Sequence, residues 1–269
     1  MGRKCRDGVV TVGDTDMYYA SFGTGERHVV VLPGLSDGLT TVKDKAFMLA
    51  SPYKPFFNDF TVYMFSRKNK MPEGYTIRQM AEDQVTAMRN LGIEKACVVG
   101  VSQGGMISQY IAIDHPEVVD KLVLAVTSPY VNDIATSVVS NWIEITKTGD
   151  HTALMLDTAE KMYSEAYLKK NRSLFPVIAR FTKPADYSRF LINANAILGF
   201  DAREEICKIK CPTLVISGED DKTVGNDAPS MFEQGISDCS VYIYEGLGHG
   251  AFEEAKDFYS RIYEFCRVC

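Results

Sequence analysis

The run Gly100-Val101-Ser102-Gln103-Gly104 sets a serine midway between two glycines, with an apolar stretch before it and a helix-like stretch after it. A turn this tight accepts a strained serine backbone only when the residues two positions away on either side lack side chains, and it leaves the hydroxyl exposed beyond the end of a strand. A hydroxyl is a weak nucleophile at neutral pH, so such a serine needs a base within hydrogen-bonding reach and a third group that orients the base. The chain has four histidines to supply that base. His28 opens a strand-like run and His115 ends a helix-like one, in "DHPE"; backbone carbonyls or solvent satisfy an imidazole in either place. His151 follows Asp150 in a helix-rich stretch and is expected on its surface. His249 lies in "YEGLGHGAFEE", on a Gly-rich loop after the last strand-like run, which carries it to the same edge of the sheet as Ser102. For the orienting group, "ISGEDDKTVG" offers Glu219, Asp220 and Asp221 side by side on one turn, a composition that equally fits a solvated acidic loop.

These groups meet only if the elements between them bring them to one edge. Short β-branched runs bounded by Gly, Pro or Ser occur at 9–12, 17–22, 28–34, 60–66, 96–102, 121–128, 212–218 and 240–246. From the third onward most are near-continuous apolar runs, as in strands buried on both faces of a parallel sheet. Between them lie segments of helical period. "TIRQMAEDQVTAMRNLGI" puts Ile77, Met80, Ala81, Val85 and Met88 on one face, with Thr76 as N-cap and Gly92 as the stop. The alternation predicts an α/β fold with right-handed crossovers. It breaks once, at 129–206, where helix-like stretches rich in Met and aromatic residues follow one another without a strand. That segment reads as a helical insertion, leaving 1–128 and 207–269 as the core domain.

Composition narrows the partners. The chain has 269 residues, 46% of them hydrophobic, and a formal net charge of -6 without a long Lys/Arg block. Nucleic acid and membrane are therefore not expected as partners. The N-terminal "MGRKCRDGVV" has no apolar stretch behind its charges, and Arg6 stands where a myristoylation pattern requires Ser or Thr, so a cytoplasmic address is expected. Seven cysteines, an odd number without framework spacing, fit reduced thiols better than disulfides. The terminal "CRVC" reads as incidental thiols on a helix, and no metal site or organic cofactor is expected.

The order Ser102, then an acid after a later strand, then His249 after the last one, resembles the α/β-hydrolase superfamily along its whole length. The resemblance implies an eight-stranded, mostly parallel sheet flanked by helices, with 129–206 as a helical cap inserted after strand six. It selects Asp221, three residues beyond the strand-ending Gly218, as the orienting acid. It also implies an oxyanion hole made by the N–H groups of Gln103, the residue after the nucleophile, and Leu35, in "VLPGLSDG". Pro33 stands where the family usually has His, so any bond that a histidine would make in shaping this loop must come from elsewhere. Ser36 and Asp37 read as turn residues. Gly34 and Trp142 are the expected substrate contacts. The implied activity is cleavage of a small or medium ester, thioester or lactone with an apolar part, through an acyl-enzyme. The stretch from Leu191 to Gly218 resembles 3-oxoadipate enol-lactonases and related hydrolases. Two alternatives remain: C–C bond hydrolysis or perhydrolysis on the same triad, and a ligand-binding or signalling protein on a hydrolase scaffold. A monomer and a homodimer are both compatible with the sequence.

Overall fold

The structure is a computed structural model that describes residues 5–268; residues 1–4, part of the stretch read for targeting, and Cys269 of "CRVC" lie outside the described residues. Eight strands form one sheet: β1 Cys5–Val12, β2 Thr15–Gly23, β3 Arg27–Leu32, β4 Phe60–Phe65, β5 Ala96–Val101, β6 Val119–Ala125, β7 Thr213–Gly218 and β8 Cys239–Tyr244. Their spatial order is β1-β2-β4-β3-β5-β6-β7-β8, antiparallel from β1 to β4 through β2 and parallel from there on. All eight sequence-read strands are present.

The helices are α1 Ala46–Leu49, α2 Ile77–Asn90, α3 Gln103–Asp114, α4 Asp133–Thr148, α5 His151–Met162, α6 Glu165–Asn171, α7 Phe175–Thr182, α8 Ser188–Leu198, α9 Ala228–Gly235, α10 Ala251–Glu254 and α11 Phe258–Arg267. Strand side chains alternate between two cores, as the pleat demands. Val30, Leu32, Val98, Leu124 and Val215 join α2, α3 and α9 on one face. Val29, Val31, Val99, Val123 and Ile216 join α1 and α11 on the other. Both faces are covered, which is why these strands read as unbroken apolar runs. Thr76 caps α2 through a reciprocal capping box with Gln79. Among the described residues, no helix is long and apolar enough to cross a membrane.

Five helices, α4 to α8, occupy the chain between β6 and β7. They reach the sheet's upper edge through α8, which packs on a 3-10 turn at Leu35–Gly38. The approach is close: a Cβ on Gly38 would lie 2.8 Å from the Phe190 Cα.

The fold departs from the sequence expectation at a cysteine pair and at one histidine. Cys97 and Cys266, expected as free thiols, form a disulfide between β5 and α11, with Cα atoms 6.2 Å apart. Their 169-residue separation hides the pairing from any spacing argument. His151, expected on the surface, is 3% exposed. Its ring nitrogens lie 3.0 Å from the Tyr187 hydroxyl and 3.2 Å from Thr182 Oγ1, linking α5 to α7 and to the start of α8. Burial, with Lys183 nearby, lowers its pKa below the ordinary histidine value.

Candidate active site

Ser102 stands between the end of β5 and the first residue of α3, with φ 54° and ψ -120°. For a non-glycine residue that backbone is strained, and the space around its neighbours shows why glycines flank it. A Cβ on Gly104 would sit 1.9 Å from the Leu32 carbonyl oxygen, and one on Gly100 would sit 2.5 Å from the Gly105 Cα. Bonds to the end of β6 and to the residues just past it hold the turn down: the Ser102 N–H donates to the Ala125 carbonyl (2.9 Å), and Thr127 Oγ1 donates to the Ser102 carbonyl (2.8 Å).

The loop after β8 carries His249 back over this turn. The ring is buried, with Nε2 2.9 Å from Ser102 Oγ and Nδ1 2.8 Å from Asp221 Oδ2. The other carboxylate oxygen, Asp221 Oδ1, accepts from the backbone N–H groups of Thr223 (2.8 Å) and Val224 (2.9 Å). Its acceptor capacity toward the backbone therefore fixes which oxygen faces the imidazole. Glu219 and Asp220 are exposed, and Glu219 accepts from the Gly246 N–H instead (3.1 Å). Of the three neighbouring acids, only Asp221 is turned inward.

Leu35 and Gln103 are the first residues of the 3-10 turn and of α3, positions whose N–H groups have no partner inside the helical turn they open. Gly34 lies against the serine, where an added Cβ would be 3.2 Å from Ser102 Cβ. Trp142 is packed among the buried residues of α4, α5 and α8, and its indole N–H donates to Asp157 (2.8 Å).

Beneath these residues is a polar network that the sequence reading did not find. Arg67, just past β4, is fully buried, and its Nη2 donates to the Pro33 carbonyl (2.7 Å) and to Gln103 Oε1 (3.0 Å). Gln103 Nε2 in turn donates to the Asn193 carbonyl on α8 (2.8 Å). Asp37, read as a turn residue, is 2% exposed and accepts from the Arg67 N–H (2.9 Å) and Arg189 Nη2 (2.7 Å). Burial lowers the Arg67 pKa to about 10, with Asp37 opposing the shift, so the guanidinium stays charged at neutral pH. No motif announces these contacts; the one available hint was a basic residue directly after an apolar strand. Among the described residues, no three His, Cys, Asp or Glu side chains converge as a metal ion would require. A groove of about 720 Å³ between α2, α3 and α8, lined by Tyr75, Arg78, Tyr110 and Leu191, includes none of Ser102, Asp221 or His249.

A mostly parallel sheet of this order, with a strained serine at one strand end and an imidazole and a carboxylate in line with it, defines the class: an α/β-hydrolase fold. A sequence profile of the alpha/beta hydrolase fold family matches residues 63–256, and the chain belongs to that family. It is 26% identical over 202 residues to the AB hydrolase superfamily protein YisY of Bacillus subtilis, covering 72% of this chain and 74% of that one. The alpha/beta hydrolase MGS-M2 from a Medee basin deep-sea metagenome library superposes with a TM-score of 0.86 at 20% identity, covering 97% of this chain and 98% of that one. The enol-lactonase of Burkholderia xenovorans LB400 superposes with a TM-score of 0.81 at 20% identity, covering 96% and 99%. Similarity to hydrolases and to enol-lactonases agrees with the resemblance read from the motifs.

Proposed function

We propose that this hydrolase cleaves a small or medium ester, thioester or lactone by way of an acyl-enzyme on Ser102. The observation that carries the reading is the continuous chain from Ser102 Oγ to His249 (2.9 Å) and from His249 to Asp221 (2.8 Å), built on a strained serine backbone. With Nδ1–H donating to Asp221, Nε2 is left as the acceptor for the Ser102 proton. Ser102 Oγ then attacks the carbonyl carbon, and the N–H groups of Leu35 and Gln103 meet the oxygen as it becomes negative. His249 returns the proton to the departing alcohol, thiol or ring oxygen; water repeats the sequence on the acyl-enzyme.

In this reading 129–206 is a cap over the site, and 1–128 with 207–269 is the core. Gly34 and Trp142 are its proposed substrate contacts, and the substrate is a small molecule with an apolar part. The protein works in the cytoplasm. The comparison with the enol-lactonase supports a lactone among the substrates to be tried first. The test is labelling by a fluorophosphonate probe, with Ser102→Ala as control, beside a rate survey across p-nitrophenyl esters, lactones and vinylogous 1,5-diketones. Labelling that vanishes in Ser102→Ala, with turnover of an ester or lactone, supports the proposal. A folded wild-type protein that neither labels nor turns over any of them would sink it, and preference for the diketones would replace it with C–C hydrolysis.

A further inference from the structure

The two N–H groups of the proposed oxyanion hole come from different elements. Leu35 opens the turn after β3, while Gln103 opens α3. Nothing covalent sets the distance between them, and the residue before Leu35 is Gly34, whose backbone is the least restrained in the chain alphabet. In such a hole the stabilisation depends on donors held in place before the charge develops. Something must fix the loop, and Pro33 has no side chain able to donate to it.

We propose that Arg67 is the positioning residue of this hole; the inference rests on the serine-hydrolase reading above. One nitrogen, Nη2, spends its two N–H groups on the two halves: one on the Pro33 carbonyl, which fixes the peptide plane leading into Gly34, and one on the side chain of Gln103. The Gln103 amide cannot turn over, because Arg67 only donates and the Asn193 carbonyl only accepts. A single buried group thus spans the loop, the elbow and, through Gln103, helix α8. Its own backbone is held as well: Asp37 Oδ2 takes the Arg67 N–H while accepting from Arg189, whose Nη2 also donates to the Arg67 carbonyl (2.8 Å). The guanidinium Nε and Nη1 have no partner among the described residues.

The experiment measures kcat and KM for p-nitrophenyl butyrate hydrolysis, with kcat normalised to sites titrated by the fluorophosphonate probe, and the Kd of phenylboronic acid. The boronate becomes tetrahedral and anionic on the serine, so its affinity reads the hole. Wild type is compared with Arg67→Met and Arg67→Lys. Arg67→Met is expected to lower kcat by about 10²- to 10³-fold, the loss seen when one oxyanion donor is removed. Boronate affinity should weaken in parallel, while KM stays within about threefold and Ser102 still labels to completion. Arg67→Lys keeps the charge but not the planar fork, and is expected to fold and to fall between wild type and Arg67→Met. If Arg67→Met fails to fold, the reduced kcat and boronate affinity of Arg67→Lys carry the test. Variants that match wild type in both kcat and boronate affinity, or that change KM alone, would overturn the role of Arg67 while leaving the reaction standing. Wild-type protein that neither hydrolyses the ester nor labels would overturn both.

Discussion

Asp221→Asn tests the proposed triad most directly, because the structure dictates which way the new amide must face. The carboxylate uses Oδ1 for two backbone N–H donors, from Thr223 and Val224, and Oδ2 for His249 Nδ1. Asparagine has one oxygen and one NH2 group. If its oxygen stays with the two backbone donors, the NH2 group faces His249 and donates to Nδ1. The imidazole proton then moves to Nε2, where it points at Ser102 Oγ, and the base can no longer accept the serine proton. If the amide flips, two buried N–H groups meet an NH2 group, which costs several kcal/mol for the lost bonds and the opposed dipoles. The first arrangement is therefore the stable one, and it keeps the fold while disabling the base. The loss in kcat is expected to be on the order of 10⁴-fold, as in the corresponding serine-protease substitution, which corresponds to about 5.4 kcal/mol in the barrier. Steady-state hydrolysis of p-nitrophenyl butyrate measures it, with Asp220→Asn as control. Asp220 is exposed, so that variant is expected to keep nearly full activity. An Asp221→Asn enzyme retaining more than about a tenth of wild-type kcat, or an Asp220→Asn enzyme that loses it, would refute the reasoning.

Two further substitutions probe the frame. Gly104→Ala should gain about 1 kcal/mol of helix propensity, yet its Cβ would meet the Leu32 carbonyl oxygen at 1.9 Å, a backbone contact that no side-chain rotation relieves. The clash is expected to win by about 3 kcal/mol or more, whereas Gly149→Ala, with φ 70° and open space around it, costs about 1 to 2 kcal/mol. Urea midpoints that rank the two variants the other way would contradict the close packing of β3 on α3. His151 should make folding stability depend on acid. Its pKa is lowered in the folded protein, so the unfolded chain binds the proton first. Its stabilising contribution is complete above about pH 6.5 and falls as pH drops toward the folded value, by up to about 1.4 kcal/mol per pH unit. Thermal unfolding from pH 8 to pH 5 should show a shallower fall for His151→Gln than for wild type, and parallel profiles would show that His151 is not the group responsible.

Legibility in the sequence followed how local each constraint is. The strands are visible because burial on both sheet faces demands consecutive apolar residues, as in Val29 to Leu32. The elbow is visible because a strained serine needs Gly100 and Gly104 at fixed offsets. His249 is visible because only its loop follows the last strand. Composition could not separate Glu219, Asp220 and Asp221, since all three suit a solvated turn. The family spacing selected Asp221, and the fold turns it inward.

Tertiary structure alone decided the rest. Arg67 reaches Pro33 and Gln103 only once β4, β3 and α3 lie side by side. Asp37 becomes a buried acceptor only when α8 brings Arg189 down onto its loop. His151 is buried by helices that begin and end some thirty residues away, and Cys97 meets Cys266 across 169 residues. Backbone geometry and burial periodicity are written in neighbouring residues, because steric exclusion acts over one or two peptide units. A buried charge is stabilised by whatever the fold packs against it, and that partner leaves no mark beside it in the chain.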